Sequence, residues 1–71
     1  QSNALRELQS IMQKIAGSAG TLGLQDLGDT ARICENQIID HLDTGTTVLP
    51  EIYQSLGEFA EKAEYLLCNQ N

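Results

Sequence analysis

Few side chains in this 71-residue sequence are able to carry out chemistry. It has one histidine, His41, and two widely separated cysteines, Cys34 and Cys68. These are too few for a zinc site or a disulfide framework. The remaining candidates are three closely spaced carboxylates, Glu58, Glu61 and Glu64. Acid–base catalysis by paired carboxylates needs a cleft that a narrow helical protein does not offer, so we expect a solvated helix face, no metal, no cofactor and no enzyme.

The other ionisable and thiol groups have simple structural interpretations. Asp26 and Asp29 fall in the predicted first turn of a helix, where the helix dipole favours negative charge. His41 falls near the end of the same helix, where positive charge is favoured. Cys34 lies in an apolar row and is predicted to be a small buried hydrophobe. Cys68 lies off the next apolar row, near the C-terminus, and is predicted to be exposed.

Composition restricts the class of protein further. The length suits one small domain, and no apolar run approaches the roughly 18–20 residues that span a bilayer. A net charge of -6 argues against nucleic acid and anionic membranes as partners. The two isolated cysteines and the lack of a recognisable signal peptide make a reducing, cytoplasmic setting the default expectation, and the hydropathy predicts no membrane insertion. Residues 1–4 resemble an expression-tag remnant, and we expect residues 5–71 to be one domain taken from a longer protein.

Three apolar rows predict three helices. In each row the residues recur at alternating intervals of three and four, which is the spacing of one helix face. The first row is Leu5, Leu8, Met12, Ile15, Ala19 and Leu22. The second is Leu24, Leu27, Ala31, Cys34, Ile38 and then His41 or Leu42. The third is Leu49, Ile52, Leu56, Phe59, Ala63 and Leu66. No segment alternates like a strand, so the fold class is all-α.

The ends of these helices are also predictable. Gly23 suits the left-handed conformation that ends a helix, and the polar segment 43–47 is typical of a turn. Pro50 and Glu51 fit the first turn of the third helix. Such short connections make consecutive helices antiparallel neighbours in a slender bundle. Three helices form a small core, so we expect a missing segment or a second chain to complete it, with a homo-oligomer favoured here.

The glycine-rich end of the first helix has three interpretations. The helix could stop near Gly17 and continue as a loop. A phosphate-binding loop is disfavoured because no strand precedes the glycines and no Lys-Ser/Thr follows them. The third interpretation, which we favour, is a continuous helix, because the apolar row runs through the glycines without a phase shift. Gln13, Ala16, Gly17 and Gly20 then share a face that lacks large side chains and admits another backbone.

The segment from Gln13 to Gly23 resembles the signature of histidine phosphotransfer (HPt) domains, which carry phosphoryl groups between receiver aspartates in bacterial two-component relays. The family has a histidine, a glycine four residues later and a second glycine ten residues after the histidine. Gly17 and Gly23 match these offsets, and Leu22, directly before the second glycine, also fits the family pattern. The similarity is specific from Met12 to about Leu27. It implies an antiparallel four-helix bundle of which this chain supplies three helices.

This sequence departs from the family at the phosphoacceptor position, which holds Gln13. A carboxamide nitrogen shares its lone pair with the carbonyl group, so it is a poor nucleophile compared with imidazole. The lysine often found three residues after the histidine is replaced by Ala16, and Lys14 is the nearest cation. The resemblance therefore implies a domain that cannot accept a phosphoryl group at this position. Gln13 is either natural or an introduced substitution; His41 as a displaced acceptor is disfavoured, since no bare face surrounds it.

The resemblance implies that the partner is the receiver domain of a response regulator. The residues expected to bind it are Gln9, Gln13, Lys14, Ala16, Gly17 and Gly20. The alternative hypothesis is a structural segment whose glycine face packs helix against helix in a homo-oligomer. In either case no residue of this chain is expected to be catalytic.

Overall fold

A computed structural model describes residues 2–68 and contains three α-helices. They are α1 (Ser2–Thr21), α2 (Gln25–Asp43) and α3 (Leu49–Cys68). No strand occurs among the described residues, which confirms the all-α prediction. The molecule measures 41 × 21 × 17 Å, so the expected slender shape is also confirmed. Gln1 and residues 69–71, which belong to the predicted tag and domain ranges, lie outside the described residues.

A glycine ends α1 as predicted. Gly23 has a φ of 79°, in the left-handed region that other residues avoid. The N–H of Leu24 donates to the carbonyl of Ala19 at 2.7 Å, and the N–H of Gly23 donates to that of Gly20 at 3.2 Å. This pair of bonds is the Schellman motif, which satisfies the last carbonyls of a helix. The chain then reverses directly into α2.

The end of α2 uses a second left-handed glycine. The N–H groups of Thr44 and Gly45 both donate to the carbonyl of Asp40, at 2.9 and 3.0 Å. Gly45 has a φ of 72°, and the Thr44 hydroxyl also donates to the Asp40 carbonyl at 3.1 Å. The predicted polar turn is therefore a compact helix cap.

The third helix begins with a single contact from a side chain to the backbone. The N–H of Val48 donates to Oε1 of Glu51 at 3.4 Å, which is one half of a capping box. Pro50 lies in the same first turn, where its missing N–H leaves no hydrogen bond unmade. The sequence signals at this end are confirmed.

The helix α2 lies between the other two. It packs against both α1 and α3, whereas no Cα atom of α1 comes within 8 Å of one in α3. The buried core draws on all three helices and is centred on the middle one. Its central cluster consists of Met12, Ala16, Ala31, Cys34, Ile38 and Ile52, and Ala19 is buried as well. The chain therefore forms three sides of a bundle, with the side between α1 and α3 open.

Two ends of the predicted apolar rows are exposed. Leu22 is 73% exposed because it follows the last residue of α1, and Leu49 is 36% exposed at the first residue of α3. Leu5, Leu8 and Ile15 are only partly buried against the core. The backbones of α1 and α3 stay more than 8 Å apart, so this side of the bundle is less closely packed than the sides along α2.

Candidate functional site

The glycine-rich segment is helical throughout. The helix α1 includes Gly17 and Gly20 and continues to Thr21, so the loop interpretation is wrong and the continuous-helix interpretation is confirmed. The hydroxyl of Thr21 donates to the Gly17 carbonyl at 3.2 Å, one turn earlier. The two glycines therefore sit in a regular helix, at positions where glycine costs about 1 kcal/mol relative to alanine.

Most of the predicted binding residues form one exposed surface. Gln13, Lys14, Gly17 and Gly20 are exposed, and Gln9 is half-buried. No atom beyond the local helix lies within 4 Å of a Cβ built on Gly17 or Gly20. We call Gln9, Gln13, Gly17 and Gly20 the glycine face. Its helical backbone is accessible from outside the chain. On the other side of the helix, α2 lies close to Gly20, whose backbone nitrogen is 3.8 Å from the position of a Cβ on Gly28.

The structure separates Ala16 from this surface. Ala16 is only 5% exposed because it faces α2, where its carbonyl oxygen lies 3.3 Å from the position of a Cβ on Gly28. The Cβ of Ala19 lies 3.4 Å from the same point. The sequence spacing placed Ala16 with Gly17 and Gly20, but adjacent helix positions differ by about 100° in direction. Ala16 therefore helps α1 and α2 to approach each other and is not a surface residue.

The glycine face carries little charge. The residues three and four positions from Gln13 are Gln9, Ser10, Ala16 and Gly17, none of which is ionisable. The nearest cations are exposed: Lys14 is adjacent in sequence, and Arg6 lies about two turns earlier on the same side of the helix. Glu7, adjacent to Arg6, is exposed as well, so two cations and one carboxylate border the glycine face.

His41 and the cysteines lie where their structural interpretations predicted. His41 is half-buried in the last turn of α2, and its Nδ1–H donates to the Thr47 carbonyl at 2.8 Å. This bond ties the 44–47 turn to the helix. Cys34 is fully buried, and burial raises the pKa of its thiol, whereas Cys68 is exposed. The glutamates at 58, 61 and 64 are exposed, as expected for a solvated face.

Two features escaped the sequence analysis. Gly28 is the glycine that allows close helix packing, but it stands alone in a helical pattern and gives no signal. Ser55 is a buried hydroxyl that donates to Oε1 of Gln37 across the α2–α3 contact. A shallow groove of about 450 Å³ adjoins Ser55, between Ile33 and Glu58. Neither feature adds a reactive group to the glycine face.

Comparisons with known proteins do not assign this chain to a family. No protein-family model matches the chain, and neither a curated protein nor a solved structure matches it significantly. Among residues 2–68, no helix is long and apolar enough to cross a membrane. Within the same range, His, Cys, Asp and Glu side chains form no group of three able to hold a metal ion.

Proposed function

We propose that this chain is an HPt-like docking module of a bacterial two-component phosphorelay, with a response-regulator receiver domain as its partner. The glycine face and Lys14 are the docking surface. Gln13 occupies the phosphoacceptor position, so the module binds the receiver without accepting a phosphoryl group. This function places it in the cytoplasm, as an interaction domain rather than an enzyme.

One observation carries the proposal. Gly17 and Gly20 lie inside a regular helix, expose their backbone and have open space around them. In a helix interior such as that of Gly17, glycine costs about 1 kcal/mol relative to alanine, and no atom beyond the local helix lies within 4 Å of where a Cβ would stand at either position. A partner whose surface comes close to the helix backbone would explain why the positions beside Gln13 carry glycine rather than larger residues. Gly28, by comparison, is fully accounted for by the packing of α2 on α1.

The chemistry expected of an active relative explains the effect of Gln13. An imidazole nitrogen attacks an aspartyl phosphate in line, so the P–O bond to aspartate breaks as the N–P bond forms. The glutamine carboxamide has no free nitrogen lone pair for this attack. Lys14 and Arg6 are cations close enough to attract a phosphorylated aspartate. The receiver supplies the metal and most of the catalytic groups.

Phosphotransfer to a restored histidine tests the proposal. Gln13→His and the unaltered protein are incubated with a panel of phosphorylated receiver domains, and transferred label is followed by gel and by its loss in acid. Gln54→His is the matched control, because it adds the same side chain at an exposed position of α3. We expect acid-labile label on Gln13→His alone.

The opposite result removes the proposal. If Gln13→His takes no label from any receiver and no receiver binds the unaltered protein, the glycine face is not a docking surface. Equal labelling of Gln54→His would likewise show that any exposed histidine reacts. The remaining hypothesis would then be a helical segment that oligomerises through Gly17 and Gly20.

A further inference from the structure

A second apolar row runs along α1 on the side opposite Gln13. Its positions are Ala4, Leu8, Ile11, Ile15, Ser18 and Leu22, again at alternating intervals of four and three, and Ser18 is the one polar residue among them. Ile11 is 50% exposed, and Leu8 and Ile15 are only half-buried. Ile11 and Gln13 point in nearly opposite directions, since two residues turn a helix by about 200°. This second row is therefore separate from the glycine face.

The third helix carries a matching row. It consists of Leu49, Tyr53, Leu56, Ala60, Ala63 and Leu67, at the same alternating intervals. Tyr53 is 62% exposed and Leu67 is 70% exposed. Leu8 and Tyr53 line a common groove of about 610 Å³ between α1 and α3. The two rows thus stand side by side at the open side of the bundle, and together they form one apolar surface.

Charges beside the first row indicate what covers it. Glu7 and Lys14 are exposed, seven residues apart, and each directly precedes a residue of the row. They lie on the same flank, but about 10 Å apart along the helix axis, which is too far for an ion pair within one helix. In a second copy of the same helix that runs antiparallel, the order of these two charges is reversed. Glu7 of one copy can therefore face Lys14 of the other.

We propose that two copies of this chain associate through these rows, with their α1 helices antiparallel about a two-fold axis. With the axis between Gln9 and Ser10, Leu8 of each copy lies opposite Ile11 of the other. This register places Glu7 of each copy beside Lys14 of the other, so that two ion pairs form. Such reciprocity is the property of a two-fold interface, in which each contact occurs twice.

The same axis suits α3. Tyr53 lines the same groove as Leu8. With these two residues aligned, the axis brings Tyr53 opposite Leu56 of the second copy. The flanking positions that meet there are Pro50 and Gly57, which carry no charge. The net charge of -6 on each copy opposes association, but no like charges face each other in this register. The glycine face remains outside the interface in both copies. Lys14 is the one residue that belongs both to this interface and to the docking surface proposed above, so the test below measures self-association with no receiver present.

A charge swap tests the interface directly. Mass is measured by sedimentation equilibrium across a dilution series, with reductant present because Cys68 is exposed. We expect the unaltered protein to reach a dimer, twice its 7.8 kDa. Glu7→Lys and Lys14→Glu should each raise the dissociation constant about tenfold or more, since each loses two pairs and gains two repulsions. The double variant should restore it.

Two further variants make the outcome decisive. Ile11→Asp should give a monomer with unchanged helix content by circular dichroism. Gly17→Leu, on the opposite side of α1, should leave the dimer intact. A monomeric unaltered protein, or a double variant as weak as the single ones, would overturn the proposed interface. Dissociation of the dimer by Gly17→Leu would instead assign self-association to the glycine face.

Discussion

Gly28 and Gly17 lie on neighbouring helices, and both occupy helix interiors. A Cβ on Gly28 would lie 3.3 Å from a backbone carbonyl of α1, whereas a Cβ on Gly17 would meet nothing within 4 Å. Gly28 therefore has a structural purpose inside the chain, because it lets α1 and α2 approach closely. Gly17 has no such purpose in the described chain. Gly57 is equally open, so this difference alone does not identify a partner; the receiver proposed above would account for glycine at position 17.

Gly28→Leu should have the largest effect in this comparison. The new side chain has to displace the backbone of Ala16 or push α1 away from α2, which should lower the free energy of unfolding by about 3 kcal/mol. Urea denaturation followed by circular dichroism measures the change. Gly17→Leu is the control and should not lose stability. A loss at position 17 as large as that at position 28 would contradict the comparison.

Under the proposed function, Gly17→Leu should instead slow phosphotransfer from the receiver. In the Gln13→His background, a leucine at position 17 covers the accessible backbone beside the new histidine. We therefore expect phosphotransfer to slow about tenfold or more, which corresponds to a rise of about 1.4 kcal/mol in the activation free energy. The rate of label transfer from a phosphorylated receiver measures the effect. Asn36→Leu is the control, since Asn36 is exposed in the interior of α2 and belongs neither to the glycine face nor to the proposed dimer interface. Equal slowing by both variants would argue against a specific docking role for Gly17.

These two glycines also show what sequence reasoning could predict. The apolar spacing predicted all three helices, and Gly23 and Pro50 predicted two of their ends, because these signals are local. The side of α1 that α2 covers depends on contacts between distant segments. Ala16 was therefore assigned to the glycine face although it is buried, and the packing role of Gly28 was missed. The openness of Gly17 was predictable only as one of three alternatives.

A third class of glycine is required by backbone conformation alone. Gly23 has a φ of 79° and open space around it, so only its left-handed conformation opposes a side chain. Gly23→Ala should lower the free energy of unfolding by about 1 kcal/mol. This is the strain of a left-handed alanine, reduced by the smaller conformational entropy that alanine gives the unfolded chain. Thermal unfolding measures this cost, and Gly45→Ala, at a φ of 72°, should behave alike. An unchanged melting temperature in both would show that the caps do not need glycine.

The smallest effect is also the sharpest test of why Gly17 is glycine. Gly17→Ala and Gly57→Ala each add one methyl group to an exposed helix interior, so both should raise the free energy of unfolding by about 0.5–1 kcal/mol. Chemical denaturation of the two variants under identical conditions measures the pair. Equal gains in the free energy of unfolding would mean that glycine destabilises the folded chain to the same extent at both positions. Any difference between them in receiver binding would then come from the docking contact, because stability could not explain it. A loss of stability in Gly17→Ala alone would place a contact on the glycine face within the protein itself.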